Sequence, residues 1–194
     1  MIARGRRISI VISGMPSVGK TTAAETIAKK FGLKHVAGGD MLKLMAYERG
    51  YKPSGSEWWD TKEGMKFLSE RKRNPDFDKE VDRRLAEHMR KGRVVITSYS
   101  IPWIYKKGLK LWFHAPQKIR ALRLAGRDMI SAKKALAIIR KRYSENKLLY
   151  RKLYKIRFGE DLSPFNFIID TQNVGAEEVA RIACKLVSEY SDHL

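Results

Sequence analysis

The sequence predicts a three-layer α/β fold, in which a doubly wound parallel sheet of five strands is covered by helices on both faces. Short apolar and β-branched runs alternate along the chain with longer segments of helical periodicity, a pattern typical of parallel sheets. The chain has 194 residues, of which 43% are hydrophobic. This is enough for one such domain with a lid, but not for two full domains.

The predicted strands are short apolar runs that end at polar or glycine-rich segments. The first is the clearest, because the run that begins at Ile8 ends at Ser13, directly before a glycine loop. The predicted strands cover residues 8–13, 33–37, 94–98, 109–114 and 165–170. Runs of this length suit strands that are buried on both faces.

Segments of helical periodicity separate these strands. In the first of them, Ala23 and Ile27 recur at helical spacing and Gly32 follows as a stop. Pro116 opens another helix in its first turn, a position that suits proline. The predicted helices cover residues 20–31, 40–49, 78–91, 131–156 and 176–190, besides the one that starts at Pro116. Residues 50 to about 60, which include Trp58 and Trp59, are predicted to form a loop or small cap.

The charge of the chain is strongly positive. Forty Lys and Arg residues stand against twenty-one Asp and Glu residues, which gives a formal net charge of +19. Such an excess attracts polyanions, either nucleic acid or clustered phosphates. A phosphate-handling cleft with some RNA affinity and a merely solvated basic surface are both compatible with this charge.

Several classes of protein are excluded by composition. The chain has a single cysteine, Cys184, so a disulfide framework within it is excluded. No run of eighteen apolar residues occurs, so no membrane span is predicted. The basic residues 1–7 precede a strand and not the apolar core of a signal peptide. We therefore expect a cytoplasmic protein.

The glycine loop after the first strand is a phosphate-binding motif. Residues 14–21 read Gly-Met-Pro-Ser-Val-Gly-Lys-Thr and match G-x-x-x-x-G-K-[ST] at every fixed position. The glycines let the backbone N–H groups turn towards the β- and γ-phosphates of ATP, and the following helix adds its positive end. Lys20 supplies a cation to these phosphates, and the Thr21 hydroxyl binds Mg²⁺. The predicted ATP-binding residues are Gly14, Pro16, Ser17, Val18, Gly19, Lys20, Thr21 and Thr22.

Motifs that are absent from the sequence narrow the class further. A GTPase should carry Asn-Lys-x-Asp to read guanine. The one Asn-Lys pair, Asn146–Lys147, is followed by two leucines and lies inside a predicted helix. The remaining class is a P-loop kinase of small molecules, with ATP and Mg²⁺ as its cofactors.

The segment after the second strand resembles a known acceptor site. Residues 38–43 read Gly-Gly-Asp-Met-Leu-Lys and resemble the Gly-Asp-Met-Leu-Arg stretch of adenylate kinases and its counterpart in archaeal cytidylate kinases. The resemblance implies that Lys43 holds the acceptor's phosphate and that Asp40 lies near the water shell of Mg²⁺. Independently of the resemblance, Asp40 is also expected to cap the following helix.

Other segments are similar to archaeal cytidylate kinases, which are nucleoside monophosphate kinases of the P-loop fold. Residues 74–84 match their Asn-Pro-x-x-Asp-x-x-x-Asp-Arg-Arg pattern, while residues 111–116 and 167–171 look like their fourth and fifth strand exits. The resemblance implies an acceptor-binding part at about 38–91 and a helical lid at about 120–157, in a single domain. Asp78 and Asp82 belong either to this acceptor part or to a helix surface with i, i+4 partners.

The helix after the fourth strand carries Arg120, Arg123 and Arg127. The last two are four residues apart, so they share one helix face. They match the Arg-x-x-x-Arg that opens the lid in nucleoside monophosphate kinases, where one arginine covers the adenine and the other meets phosphate. Lys20, Arg123 and Arg127 are the predicted catalytic residues. The long helix that follows adds a basic stripe, any member of which could join them: Arg140, Arg142, Lys147, Arg151 and Lys155.

One segment departs from the family. After the third strand the family usually has an acidic residue followed by Gly-Arg, whereas residues 96–100 here read Ile-Thr-Ser-Tyr-Ser. The usual acceptor arginine is also replaced by Lys43, which loses bidentate geometry.

We expect ATP-dependent phosphorylation of a nucleoside monophosphate, with CMP or dCMP as the first choice. The alternatives are an adenylate acceptor and an RNA-associated ATPase that uses the basic helix for binding. The expected partners are small nucleotides, with nucleic acid less favoured and no membrane. The oligomeric state has no signature in the sequence.

Overall fold

Five parallel strands form one sheet in the order β2-β3-β1-β4-β5. The computed structural model of the chain describes residues 8–55, 58, 61–74 and 76–192. The strands are β1 (Ser9–Gly14), β2 (Lys34–Ala37), β3 (Val94–Thr97), β4 (Leu109–His114) and β5 (Phe167–Asp170). Central β1 pairs with β3 on one side and β4 on the other, so Val11 lies between Ile96 and Lys110. The predicted doubly wound parallel sheet is confirmed.

Eight helices connect and cover the strands in the described part of the chain. They are α1 (Lys20–Phe31), α2 (Gly38–Tyr47), α3 (Lys62–Arg73), α4 (Asp76–Lys91), α5 (Ile101–Ile104), α6 (Gln117–Asp128), α7 (Ala132–Tyr154) and α8 (Ala176–Asp192). The predicted stop at Gly32 is confirmed by its positive φ of 63°, and Gly92 after α4 has φ 78° in the same way. Among the described residues no helix combines the length and apolar character needed to cross a bilayer.

Two helices were absent from the sequence prediction. Short α5 follows β3, and α3 fills the region after the predicted cap. The Thr61 hydroxyl starts α3 by accepting a hydrogen bond from the Gly64 N–H at 3.1 Å. Trp58 packs in the cap, as expected, against Phe67 of α3 at 5.8 Å between ring centroids. Trp59, Pro75 of the family motif and the basic residues 1–7 lie outside the described residues.

The sheet separates two apolar cores. Alternate residues of β1 face opposite sides, so Ile10 and Ile12 join the core beneath α1 and α8, while Val11 joins the core beneath α2 and α4. A third, smaller cluster ties α6 to α7 through Leu124 and Ile139. The carboxyl ends of β1, β3 and β4 therefore meet at one edge, where ligands bind in open α/β sheets.

The end of β1 requires a glycine. Gly14 has φ 140°, and a Cβ atom there would lie 2.2 Å from the carbonyl oxygen of Phe113 on β4. In contrast, a Cβ atom on Gly39 in α2 would meet nothing within 4 Å. Position 14 therefore has no room for a side chain, whereas position 39 has room for one.

We predict that Gly14→Ala lowers the free energy of unfolding by at least about 2 kcal/mol, because backbone strain and a backbone clash add. Gly39→Ala is the matched control, and it should be neutral or stabilising by about 0.5–1 kcal/mol, since alanine favours the helix. Urea unfolding of the three proteins measures both changes. Equal midpoints for the two variants would contradict this account of β1.

Candidate active site

Two cavities lie side by side at the carboxyl edge of the sheet. One, here called the loop cavity, has a volume of about 790 Å³ and is lined by residues 16–22 together with side chains from α6, α7 and the start of α8. The other, here called the acidic cavity, has a volume of about 370 Å³ and contains Asp78 and Asp82. Lys20, Thr21 and Tyr99 line both cavities. A group bound in one cavity therefore meets a group bound in the other at these three residues.

The predicted phosphate loop has the backbone shape that its glycines were expected to allow. Gly14 and Gly19 have positive φ, and Ser17 is also left-handed at φ 63°. Residues 16–22, which are seven of the eight predicted ATP-binding residues, line the loop cavity. Gly14, the eighth, lies behind them at the end of β1.

Lys20 folds back onto its own loop. Its Nζ donates to the carbonyl oxygens of Gly14 at 2.9 Å and Met15 at 2.6 Å, and it lies 5.2 Å from the centroid of the Tyr99 ring. Burial, and secondly the nearby Arg120 guanidinium, lower the pKa of Lys20 to about 7. Two uncharged carbonyls are weak partners for a buried ammonium, so an anion entering the loop would be a stronger one.

The predicted lid arginines lie at the loop cavity. Arg123 is held by the segment after β5, because its Nη1 donates to Thr171 Oγ1 at 2.9 Å and its Nη2 donates to the Val174 carbonyl at 3.2 Å. Arg127 is exposed and pairs with Asp128 at 2.6 Å. From the basic stripe, the structure brings Arg142 to this cavity. The other four members are absent from the residues that line either cavity.

Asp78 and Asp82 point into the acidic cavity and are not on a helix surface. Each is only 5% exposed. Asp78 accepts a bidentate pair from Arg71, with Nε 3.2 Å from both oxygens and Nη2 2.5 Å from Oδ1. The alternative of exposed i, i+4 partners is therefore wrong for both, because the amphipathic α4 turns these two carboxylates inward.

Asp82 lies at the centre of a polar cluster. Its carboxylate accepts hydrogen bonds from the Ser100 hydroxyl and from the Tyr154 hydroxyl, the latter at 2.8 Å. Burial raises its pKa to about 6, although both hydrogen bonds oppose the shift. No acid follows β3 in the sequence, but the contact with Ser100 brings a carboxylate from α4 to that strand exit.

The residues predicted to bind the acceptor lie beside the acidic cavity. Gly38, Gly39 and Leu42 line it, whereas Asp40 and Lys43 of the same helix do not. The Lys43 Nζ donates to the Gly55 carbonyl at 2.5 Å. Asp40 was expected to cap α2, and this is wrong: the cap residue is Ala37 and Asp40 lies in the first turn. The helix starts earlier because both glycines adopt helical geometry.

Several site residues were missed from the sequence. Arg71 lies on α3, which had not been predicted, although Thr61 with Glu63 in the first turn was a usable start signal. Asn146, Tyr150 and Tyr154 come from α7, where they follow one another at four-residue spacing beside the basic stripe. Asn146 and Tyr150 line the acidic cavity, and Tyr154 reaches Asp82. No spacing rule indicates which face of so long a helix turns inward.

This arrangement is that of a P-loop phosphotransferase, with two cavities that meet at one lysine. A phosphate loop closes one cavity, a second cavity opens on the same lysine, and cationic side chains surround the first. Such a layout suits in-line transfer between two bound molecules, which depends on positioning and on neutralising phosphate charge.

Comparison with known proteins agrees with this class. A family model described as "AAA domain" matches residues 13–126. The chain is 35% identical to the cytidylate kinase of Pyrococcus horikoshii, with 97% of this chain and 90% of that protein covered. It is 33% identical to the cytidylate kinase of Methanocaldococcus jannaschii, with coverages of 92% and 96%. The chain belongs to the cytidylate kinase family, and it is an enzyme of the nucleoside monophosphate kinase type.

Solved structures share the fold at low sequence identity. An uncharacterized protein from Eubacterium ventriosum superimposes with a TM-score of 0.65 at 13% identity, covering 97% of this chain and 100% of that one. A shikimate kinase from Acinetobacter baumannii gives a TM-score of 0.58 at 16% identity, with 94% of each chain covered. These two similarities support the P-loop kinase fold.

The raised pKa of Asp82 predicts a pH-dependent stability. Between pH 3.8, which is the ordinary pKa of this group, and about pH 6, Asp82 keeps its proton in the folded protein and loses it in the unfolded chain. This carboxyl group therefore makes the protein less stable as the pH rises through that window, by about 3 kcal/mol in total.

Asp82→Asn removes this contribution, so the variant should gain stability relative to the unmodified protein as the pH rises from 4 to 7. Urea unfolding across this range gives the difference at each pH. Asp76→Asn, which alters an exposed carboxylate on the same helix, should show a nearly constant difference. A constant difference for Asp82→Asn as well would show that burial does not perturb this group.

Proposed function

We propose that this enzyme transfers the γ-phosphate of ATP to CMP, with dCMP as the close alternative acceptor. The observation that carries the proposal is the meeting of two cavities at Lys20 and Thr21. ATP would occupy the loop cavity, and the monophosphate would occupy the acidic cavity. The family relationship supports the same assignment, since both relatives described above are named cytidylate kinases.

The loop cavity fits ATP and Mg²⁺. Ser17 and Gly19, which line it, have left-handed backbone of the kind that turns N–H groups towards an anion, and the exposed Thr21 lines both cavities. Among the described residues, no group of three or more acidic, histidine or cysteine side chains could hold a metal alone. Thr21 would thus be the direct protein ligand beside phosphates and water, which is how Mg²⁺ is commonly bound. Bound Mg²⁺ neutralises charge on the phosphates, and Asp40 would act through its water shell.

The acidic cavity fits the amino group of cytosine. Arg71 and Asp78 place hydrogen-bond donors beside acceptors in a buried ion pair. Cytosine offers the complementary order, an amino donor next to a ring-nitrogen acceptor, whereas uracil presents a carbonyl oxygen where cytosine has its amine. A carboxylate oxygen that faces this carbonyl would receive no hydrogen bond from the base, and such mismatches are strongly selective. The cavity therefore favours CMP over UMP.

The transfer itself needs charge neutralisation more than proton transfer. The acceptor phosphate is already ionised at neutral pH, so no general base is required. Lys20 would move from its loop carbonyls to the transferred phosphate, while Arg123 and Arg127 would cover the nucleotide from α6. Lys43 would release the Gly55 carbonyl and bind the acceptor phosphate in its place.

The lid predicted for residues 120–157 has firm attachments at both ends. Arg123 holds α6 to the segment after β5, and Tyr150 and Tyr154 hold the end of α7 at the acidic cavity. Between these attachments α6 and α7 pack mainly on each other. We propose that closure moves this middle part and brings Arg142 over the loop cavity, which excludes water from the transfer.

A nucleotide panel tests the proposed reaction. ADP release from ATP should depend on CMP or dCMP, with kcat/KM at least about tenfold above the values for UMP and AMP. Lys20→Ala should lower kcat at least about a hundredfold while its melting temperature stays within a few degrees, since this side chain supports no core contact.

Three results would decide against the proposal. Near-normal turnover by Lys20→Ala would end the phosphotransferase mechanism, and a clear preference for AMP would make the protein an adenylate kinase. Stimulation of ATP hydrolysis by structured RNA at 0.15 M salt, by about tenfold or about 1.4 kcal/mol, would favour the RNA-associated ATPase.

Base recognition by the Arg71–Asp78 pair has its own test. Removing one partner would strand a buried charge, so the informative variant replaces both, as Arg71→Met with Asp78→Leu. This variant should raise KM for CMP by about tenfold or more, erase the preference over UMP and leave KM for ATP unchanged. Arg84→Met is the matched control, because Arg84 pairs with Glu48 and Glu80 on the outside of α4. A double variant that still prefers CMP would remove these residues from base recognition.

A further inference from the structure

One buried arginine near the loop cavity has no anionic partner. Arg120 lies in the first turn of α6 and is 7% exposed. Its Nε donates to the Ala115 carbonyl at 3.0 Å, but its Nη1 is buried without a hydrogen-bond partner. Among the described residues it forms no ion pair. Burial of a guanidinium without a compensating anion is unfavourable.

The surroundings of Arg120 make the charge less favourable still. Arg120 lowers the pKa of another cation, Lys20. The nearby titratable groups that favour the charged form of Arg120 are the phenols of Tyr143 and Tyr99. Lys20 and Tyr99 belong to the wall shared by both cavities, whereas Arg120 is absent from the residues that line either one. Its interactions with Lys20 and Tyr99 place it behind that wall.

Two other cations of the described residues lie in different settings: Arg71 has an anionic partner, and Lys110, which like Lys20 is held by backbone carbonyl, has no second cation among the groups that perturb it. Arg71 pairs with Asp78, and Lys110, which is 6% exposed, donates to the Pro102 carbonyl at 2.7 Å. Arg120 and Lys20 differ because they lie close to each other and share no carboxylate. A polyphosphate supplies what this pair lacks, namely several negative charges and acceptor oxygens in one place.

We propose that Arg120 is a further catalytic residue, which binds the phosphoryl group during its transfer together with Lys20. When Lys20 leaves the carbonyls of its own loop for phosphate, the unpartnered Nη1 behind it becomes available to the same group. The term catalytic rests on the proposed function, because it assumes that a phosphoryl group is transferred. The proposed contact with phosphate does not depend on which molecule accepts that group.

Binding of inorganic tripolyphosphate tests the contact without turnover. In calorimetric titrations, Arg120→Met should weaken tripolyphosphate binding about tenfold or more, while Lys110→Met, which removes a buried cation elsewhere, should leave it unchanged. Without phosphate, Arg120→Met should melt no lower than the unmodified protein, because an unpaired buried charge has been removed. A lower melting temperature with unchanged tripolyphosphate affinity would show a purely structural role and overturn the proposal.

A double-variant cycle separates direct contact from an effect through Lys20. If Arg120 touches phosphate, Arg120→Met should weaken tripolyphosphate binding further in a Lys20→Met background; no further loss would make it a positioning residue and contradict the proposal. In turnover assays, Arg120→Met should lower kcat about a hundredfold with KM for CMP unchanged, and Arg120→Lys should recover part of it. If CMP proves not to be the acceptor, the tripolyphosphate results still decide the contact.

Discussion

The close approach of β1 to β4 at Gly14 is the constraint on which the site depends. With a carbonyl of β4 in the space of a Cβ atom, the chain must leave the sheet at a fixed angle, and the phosphate loop begins there. This angle sets the position of Lys20 and, through it, the wall that the two cavities share. The helices that supply the remaining side chains can differ in length, but this strand exit cannot move without displacing both substrates from each other.

Charge is divided between the two cavities. The loop cavity is lined by three arginines and Lys20, whereas the acidic cavity is lined by two carboxylates, Arg71 and the same Lys20. A strongly basic protein thus keeps two buried carboxylates where a nucleobase would bind. Burial makes this division effective, because opposite charges a few ångströms apart are weakly screened in a dry site. The +19 net charge says nothing about this local pattern.

Local signals in the sequence predicted the sheet, the phosphate loop and most helices, because each rests on a short motif or period. They did not predict α3, nor that Asp78 and Asp82 turn inward, because inward orientation depends on which face α4 presents to α2 and β3. The cap of α2 was assigned to Asp40 since aspartate commonly caps, whereas two preceding glycines let the helix start at Gly38. Tyr154 meets Asp82, which is 72 residues away in sequence, and Arg71 reaches Asp78 from one helix to the next. Only the folded chain brings these groups together.

Because Tyr150 and Tyr154 anchor the end of α7 at the acidic cavity, this helix resembles a lever. The anchored end is the pivot, and the arm is the part that runs back to Ala132 past Arg142 at the loop cavity. From Tyr150 to Ala132 the arm is about 27 Å long at 1.5 Å per residue, so a rotation of about 10° would carry its tip about 5 Å and Arg142 about 2 Å. We propose that an acceptor bound in the acidic cavity would displace this pivot, and that the displacement would be larger at the far end of the helix. The helix would then signal to the ATP side that an acceptor is bound, which would limit wasteful hydrolysis in its absence.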